Sequence, residues 1–130
     1  MLLVDSNIEI GKVNYVSRFR IRRVIEEVIG RIDEHGEVLP YRVHYFGSRQ
    51  RGEGTKSSDL DLAIEFDETV PQGLADAIWI DDSDRWARQL SKILDAQVQL
   101  AIRGDQERDS DLEKGLRELS EVIYRNESYC

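Results

Sequence analysis

The chain has 130 residues, 40% of them hydrophobic and 34% charged, with a formal net charge of −8. That balance suits one soluble domain over residues 1–130 and excludes a disordered or fibrous chain. No apolar run approaches the roughly 20 residues needed to cross a bilayer, and a single cysteine, Cys130, rules out a disulfide framework or a cysteine-rich zinc site.

The opening MLLVDSNIEIGK has neither a basic n-region nor a small-residue cleavage site, so no signal peptide is expected. A reducing cytoplasm is then the default location. Residues 13–35 read as a helix, because Ile21, Val24, Ile25, Val28, Ile29 and Ile32 recur at three- and four-residue spacing. Gly36 serves as its stop signal, with Pro40 beyond it. Residues 41–46, YRVHYF, alternate and are rich in β-formers, which predicts a strand with Tyr41, Val43 and Tyr45 on one side. Residues 47–58, GSRQRGEGTKSS, form a polar loop with three glycines. Residues 59–66, DLDLAIEF, predict a second strand. Leu60, Leu62, Ile64 and Phe66 share one face, and Asp59, Asp61, Ala63 and Glu65 the other.

The stretch 67–80 opens with turn chemistry at Pro71 and Gly73 and ends apolar without a clear period. Residues 83–94 predict a helix carrying Trp86, Leu90, Ile93 and Leu94, with Asp81, Asp82 or Ser83 as its N-cap. Residues 96–102 read as a third strand. A last helix is predicted over 111–125, with Ser110 and Glu113 as a capping box and Leu112, Leu116, Leu119 and Ile123 as its stripe. The order helix, strand, strand, helix, strand, helix points to a small α/β or α+β domain with one sheet.

Charge is unevenly spread. Residues 1–58 carry 10 Lys and Arg against 8 Asp and Glu, a net of +2, while residues 59–130 carry 8 against 18, a net of −10. The basic bunch Arg18, Arg20, Arg22 and Arg23 reads first as a solvated helix face, with an RNA-binding stripe as the sharper alternative. The globally acidic surface argues against long nucleic acid as a ligand.

The chemistry concentrates in residues 43–66. Aspartate is disfavoured in strands, yet Asp59 and Asp61 stand at i and i+2, where alternation puts both carboxylates on one face within reach of a shared divalent cation. Alone, such a pair reads first as a half-exposed strand whose polar face happens to be acidic. Upstream, Gly47 lets the backbone come close to a phosphate, Ser48 offers a hydroxyl and an N–H, and Arg49, Arg51 and Lys56 add cationic donors. A phosphate cradle followed by a two-carboxylate metal site is what nucleotidyl transfer needs.

Gly47-Ser48, ten residues, then Asp59-Leu60-Asp61 resembles the signature of the nucleotidyltransferase superfamily that includes DNA polymerase beta. The wording GSRQRGEGTKSSDLDLAIEF looks most like the minimal nucleotidyltransferases of bacteria and archaea, and the Arg51-Gly52 pair fits that branch. The resemblance covers roughly residues 41–66. It implies a mixed sheet flanked by helices. It implies Mg²⁺ (or Mn²⁺) held by Asp59 and Asp61, and an NTP, with ATP favoured, held by Gly47, Ser48, Arg49, Arg51 and Ser58. In the family a third carboxylate on a later strand helps activate the acceptor hydroxyl; the matching position here is Gln99, which can coordinate or hydrogen-bond but cannot take a proton. The family also implies a partner, a HEPN-type ribonuclease toxin that such proteins neutralise by adenylylation, and leaves homo-oligomerisation open. The alternative reading is a pseudoenzyme, weakened by Gln99, that binds nucleotide or partner without transfer. His44 and Glu65 read as structural, solvated or supporting residues, and Trp79 and Trp86 as core.

Overall fold

The structure is a computed structural model that describes residues 16–50, 52, 59–104, 111–118 and 120–126. Helix α1 spans Arg18–Val28, with Ser17 as N-cap accepting from the Arg20 amide at 3.1 Å. It buries Ile21, Val24 and Ile25, but ends well short of residue 35. Gly30 adopts φ +54°, and a Cβ there would lie 2.7 Å from the Glu26 carbonyl, so the chain leaves the helix at a position suited only to glycine. Beyond it the chain forms a tight hairpin rather than more helix: β1 (Asp33–Glu34) pairs antiparallel with β2 (Glu37–Val38). His35 and Gly36 between them both have positive φ, as a two-residue hairpin turn demands. Gly36 is thus a hairpin residue, not a helix stop.

Strand β3 (Tyr41–Phe46) runs straight into the four-residue helix α2 (Gly47–Gln50), and β4 (Leu60–Phe66) returns antiparallel to β3. The predicted strands over 41–46 and 59–66 are present, with the predicted faces. Tyr41, Val43 and Tyr45 are buried beside Leu60, Leu62 and Ile64. Helix α3 occupies Gln72–Leu94, one continuous helix of 23 residues. It starts directly after Pro71, so Asp81, Asp82 and Ser83 lie inside it and none of them caps it. Its apolar stripe of Ala75, Trp86, Leu90 and Leu94 is interrupted where Asp82 sits, and Asp82 instead bonds Arg85 at 2.9 Å. Ile93, expected on the buried side, is exposed. Asp95 ends the helix in the left-handed region, and Ser91 Oγ accepts the Val98 amide at 3.0 Å, steering the chain into β5 (Val98–Ile102).

Strand β5 lies parallel to β4, as a strand–helix–strand crossover requires. Helix α4 covers only Asp111–Glu118, and Ser120–Arg125 form strand β6 instead of the second half of a helix. The Ser120 hydroxyl donates to the Leu116 carbonyl at 2.9 Å and closes the helix. Ser110, of the predicted capping box, lies outside the described residues; Glu113 bonds Arg103 instead. The main sheet has the order β5-β4-β3-β6 and is mixed, with helices on both faces. Helices α1 and α3 cover the face of Tyr41, Val43, Leu60, Leu62 and Ile64, and this is the core. Each fully buried Leu or Ile there contributes about 1.5–3 kcal/mol of burial. Helix α4 lies on the other face, where Gly115 fits against the Phe46 ring. Among the described residues no helix is long and apolar enough to cross a membrane.

Candidate active site

The site lies where β3 ends and β4 begins. Register pairs Phe46 with Asp61, and Asp61 in turn with Gln99 on β5. Leu60 is fully buried in the core, so its neighbours Asp59 and Asp61 face the opposite side of the sheet, each half-buried. Directly after Phe46 the chain turns at Gly47 with φ +89°. A Cβ at this position would collide with Asp61 Oδ2 and lie 3.0 Å from Cγ, so the Asp61 carboxylate occupies the space that a side chain would need. Glycine is required twice over, by its dihedral and by this close approach. The Gly-Ser turn and the second aspartate of the Asp-x-Asp pair are therefore in contact distance, although fourteen positions separate Gly47 from Asp61.

Gly47, Asp59, Asp61 and Gln99 are thus brought to one end of the sheet, with Ser48 next in α2 and Arg49 half-buried beyond it. Arg51 and Ser58 lie outside the described residues. Gln99 is exposed. Among the described residues no group of three or more His, Cys, Asp or Glu is placed to hold a metal ion. The donor set of two carboxylates beside a glycine turn suits a hard cation such as Mg²⁺, which is commonly bound by one or two carboxylates and completed by substrate phosphates and water.

Two polar networks flank the sheet, the first at this end and the second further along β4, and sequence reading identified neither. The first braces α2. Arg18 Nε donates to Glu121 Oε1 at 2.8 Å and Oε2 at 3.0 Å, Gln50 Nε2 donates to Glu121 Oε1 at 3.0 Å, and Arg18 also reaches the Gln50 carbonyl at 3.3 Å. The Arg18 guanidinium sits over the Tyr45 ring, 5.5 Å from its centroid. Burial disfavours the Glu121 carboxylate, but hydrogen bonds from Gln50 and Arg18 and the charges of Arg18 and Arg22 outweigh it, holding the carboxyl below its ordinary range. The basic bunch on α1 also makes contacts within the fold. Arg20 donates to the Ile93 carbonyl at 2.7 Å and Arg22 to the Ile123 carbonyl at 2.9 Å, while Arg23 lies over Phe19.

The second network lies under α4. Glu65 accepts from Arg42 at 2.9 Å and pairs with His44 at 2.7 Å, with Arg103 3.6 Å away. Arg103 binds Glu113 through two contacts at 3.0 and 3.2 Å. His44's hydrogen bond and the two arginines pull the Glu65 carboxyl down to about 2, against the opposing effect of burial. His44 is buried and structural, as expected, and Glu65 is partly buried in this network rather than beside Asp61. It lies four residues along β4, beside a cavity of about 540 Å³ whose walls include Arg42, Asp67, Arg103 and Glu113 and none of Gly47, Asp59, Asp61 or Gln99.

Comparison with known proteins agrees with this fold. A family model described as a nucleotidyltransferase domain matches residues 25–125. Two solved structures share the fold. One is a toxin-antitoxin with AMP-PNP, at TM-score 0.53 and 19% identity, covering 84% of this chain and 73% of that one. The other is a mutant of the toxin-antitoxin MntA-HpeT, at TM-score 0.52 and 17% identity with the same coverage. None of the curated proteins matches.

Proposed function

This chain belongs to the nucleotidyltransferase domain family, and on that premise we propose that it moves a nucleoside monophosphate from an NTP, ATP first among them, to an acceptor hydroxyl with release of pyrophosphate. The observation that carries the reading is the fit of the Asp61 carboxylate into the side-chain space of Gly47, which supports a metal site and a phosphate-binding turn acting on one substrate. Asp59 and Asp61 would hold Mg²⁺ or Mn²⁺, whose charge offsets that of the triphosphate. Gly47, Ser48, Arg49, Arg51 and Ser58 would hold its phosphate oxygens. The acceptor oxygen then bonds to the α-phosphorus in line with the leaving group, and the bond from that phosphorus to the bridging oxygen breaks. Gln99 can orient the acceptor through its side-chain carbonyl but cannot keep the proton, which passes to water at this exposed position.

The two structural neighbours are described as toxin-antitoxin proteins, one with AMP-PNP. The second is a mutant in which two aspartates, separated by one residue, are changed to glutamate; this is the spacing of Asp59 and Asp61. These likenesses support an antitoxin role for the chain; its place in the cytoplasm and a HEPN-type ribonuclease toxin as the acceptor are our proposal from the family resemblance. A second reading, a nucleotide- or partner-binding module without transfer, is favoured by Gln99 standing in register with Asp61. Incubation with α-labelled ATP and Mg²⁺, alone and with a co-expressed partner, separates them. The transferase reading expects label on the chain or its partner, lost in Asp61→Asn. ATP binding without any label from any NTP establishes the module, and absence of both overturns nucleotide chemistry altogether.

A further inference from the structure

The turn after β3 cannot support itself. Helix α2 has four residues, a length at which helix formation is unfavourable without outside contacts. Its first residue, Gly47, rests against Asp61 on one face of the sheet. Its last, Gln50, is only 8% exposed and is held on the opposite face, where Glu121 of β6 takes its amide and Arg18 of α1 reaches its carbonyl. Glu121 stands across from Tyr45, one residue before the end of β3, and Arg18 covers the Tyr45 ring. The turn is therefore gripped from both sides of the sheet.

Gln50 carries a sign that this grip has a purpose beyond stability. Its Oε1 is buried and finds no hydrogen-bond partner among the described residues. A buried, unpaired amide oxygen disfavours the folded state, and an apolar side chain of the same size would avoid the cost. Glutamine serves stability poorly here, yet it is the residue that links α2 to Glu121.

We propose that Gln50 and Glu121 are positioning residues, which with Arg18 fix the Gly47–Gln50 turn at the height on the sheet where a triphosphate can meet both the turn and Asp61. This rests on the nucleotidyltransferase reading and adds to it residues outside the Gly-Ser and Asp-x-Asp motif. The brace lies on the face of the sheet opposite Asp61. Loosening it lets the turn drift and weakens binding of the triphosphate more than it slows the chemical step.

The test measures ATP·Mg²⁺ affinity by calorimetry, KM and kcat for transfer, and melting temperature, for the wild type and three variants. Gln50→Met keeps the volume and removes the orphan oxygen together with the bond to Glu121. It is expected to melt at or above the wild-type temperature while its Kd and KM for ATP rise about tenfold and kcat changes less than about threefold. Glu121→Ala is expected to show the same split, and Glu121→Gln, which keeps an acceptor for Gln50, to recover most of the affinity. If Gln50→Met binds ATP like the wild type, or melts lower with affinity unchanged, the residues are merely structural and the proposal falls; Gln50→Met decides the matter even if Glu121→Ala fails to fold. A wild-type chain that binds no ATP at all would sink the nucleotidyltransferase reading instead.

Discussion

At the scale of single residues, Gly47 and Gln99 define what the site can do. Gly47 is there because the Asp61 carboxylate has taken the place of its side chain, so the metal-binding and phosphate-binding halves of the proposed site are joined by a contact rather than by proximity alone. Gln99 sits across from Asp61 in the parallel register, at the point where a carboxylate could serve as base. Gln99→Asp is therefore expected to raise transfer, by about tenfold or more, toward the range that a positioned general base contributes. The gain should appear in kcat against pH as a limb that follows the new carboxylate. An unchanged or lower rate across the pH range would show that Gln99 does not face the acceptor. The motif residues were readable in the sequence because their chemistry is local: a glycine before a serine, two acids one residue apart on a strand. Gln50, Glu121 and Arg18 were not, because each acts through a partner 32 to 103 positions away and nothing in their own neighbourhood marks them.

Among the elements, β6 is the instructive one. Leu112, Leu116 and Ile123 fall at spacings that continue a helical stripe, and the first two do lie on α4. Ile123 is buried from a strand instead. The alternation of SEVIYR suits either structure, and pairing with β3, about eighty positions earlier in register, selects the strand. Residue Asn126 fastens the end of this strand. Only 5% exposed, it accepts from the Tyr41 amide at 3.1 Å and donates to the Leu39 carbonyl at 2.7 Å. Asn126→Ala strands two buried backbone groups and is expected to lower unfolding free energy by about 1–3 kcal/mol, read from denaturant midpoints at unchanged slope. A change under a few tenths would mean that water replaces the asparagine. The same contrast explains α1 and α3. Their apolar faces were legible, but the end of one depended on the dihedral of Gly30, and the start of the other was hidden by Asp82 breaking its stripe.

For the whole molecule, a net charge of −8 coexists with cations tied up in internal pairs, and the Glu65 network is where this matters most for stability. Glu65 draws together β3 through Arg42 and His44, and the end of β5 through Arg103, which in turn holds α4 by Glu113. Its carboxyl falls from an ordinary 4.5 to about 2 in the folded chain. A depressed carboxyl stabilises the fold above its unfolded value and loses that contribution as pH drops through the folded one. The wild type should therefore lose stability progressively between pH 4.5 and about 2. Glu65→Gln should be weaker at neutral pH, where Arg42 and His44 lose their charged partner, and should show a shallower decline on acidification. Denaturant titrations at about pH 7 and about pH 3 check this; parallel declines in the two proteins would place the acid sensitivity elsewhere.

The strand bordering β3 on its outer side is also the last of the sheet to leave the ribosome. While the chain is still being made, β3 and β4 can already zip together and bring Asp61 under Gly47, but until residues 120–126 emerge Tyr45 has a neighbour on its β4 side alone and Gln50 lacks Glu121 to hold. A half-finished polypeptide thus carries both aspartates and the glycine turn without the grip that sets them, so on this proposal the full affinity for nucleotides arrives only once this outer strand has been synthesised.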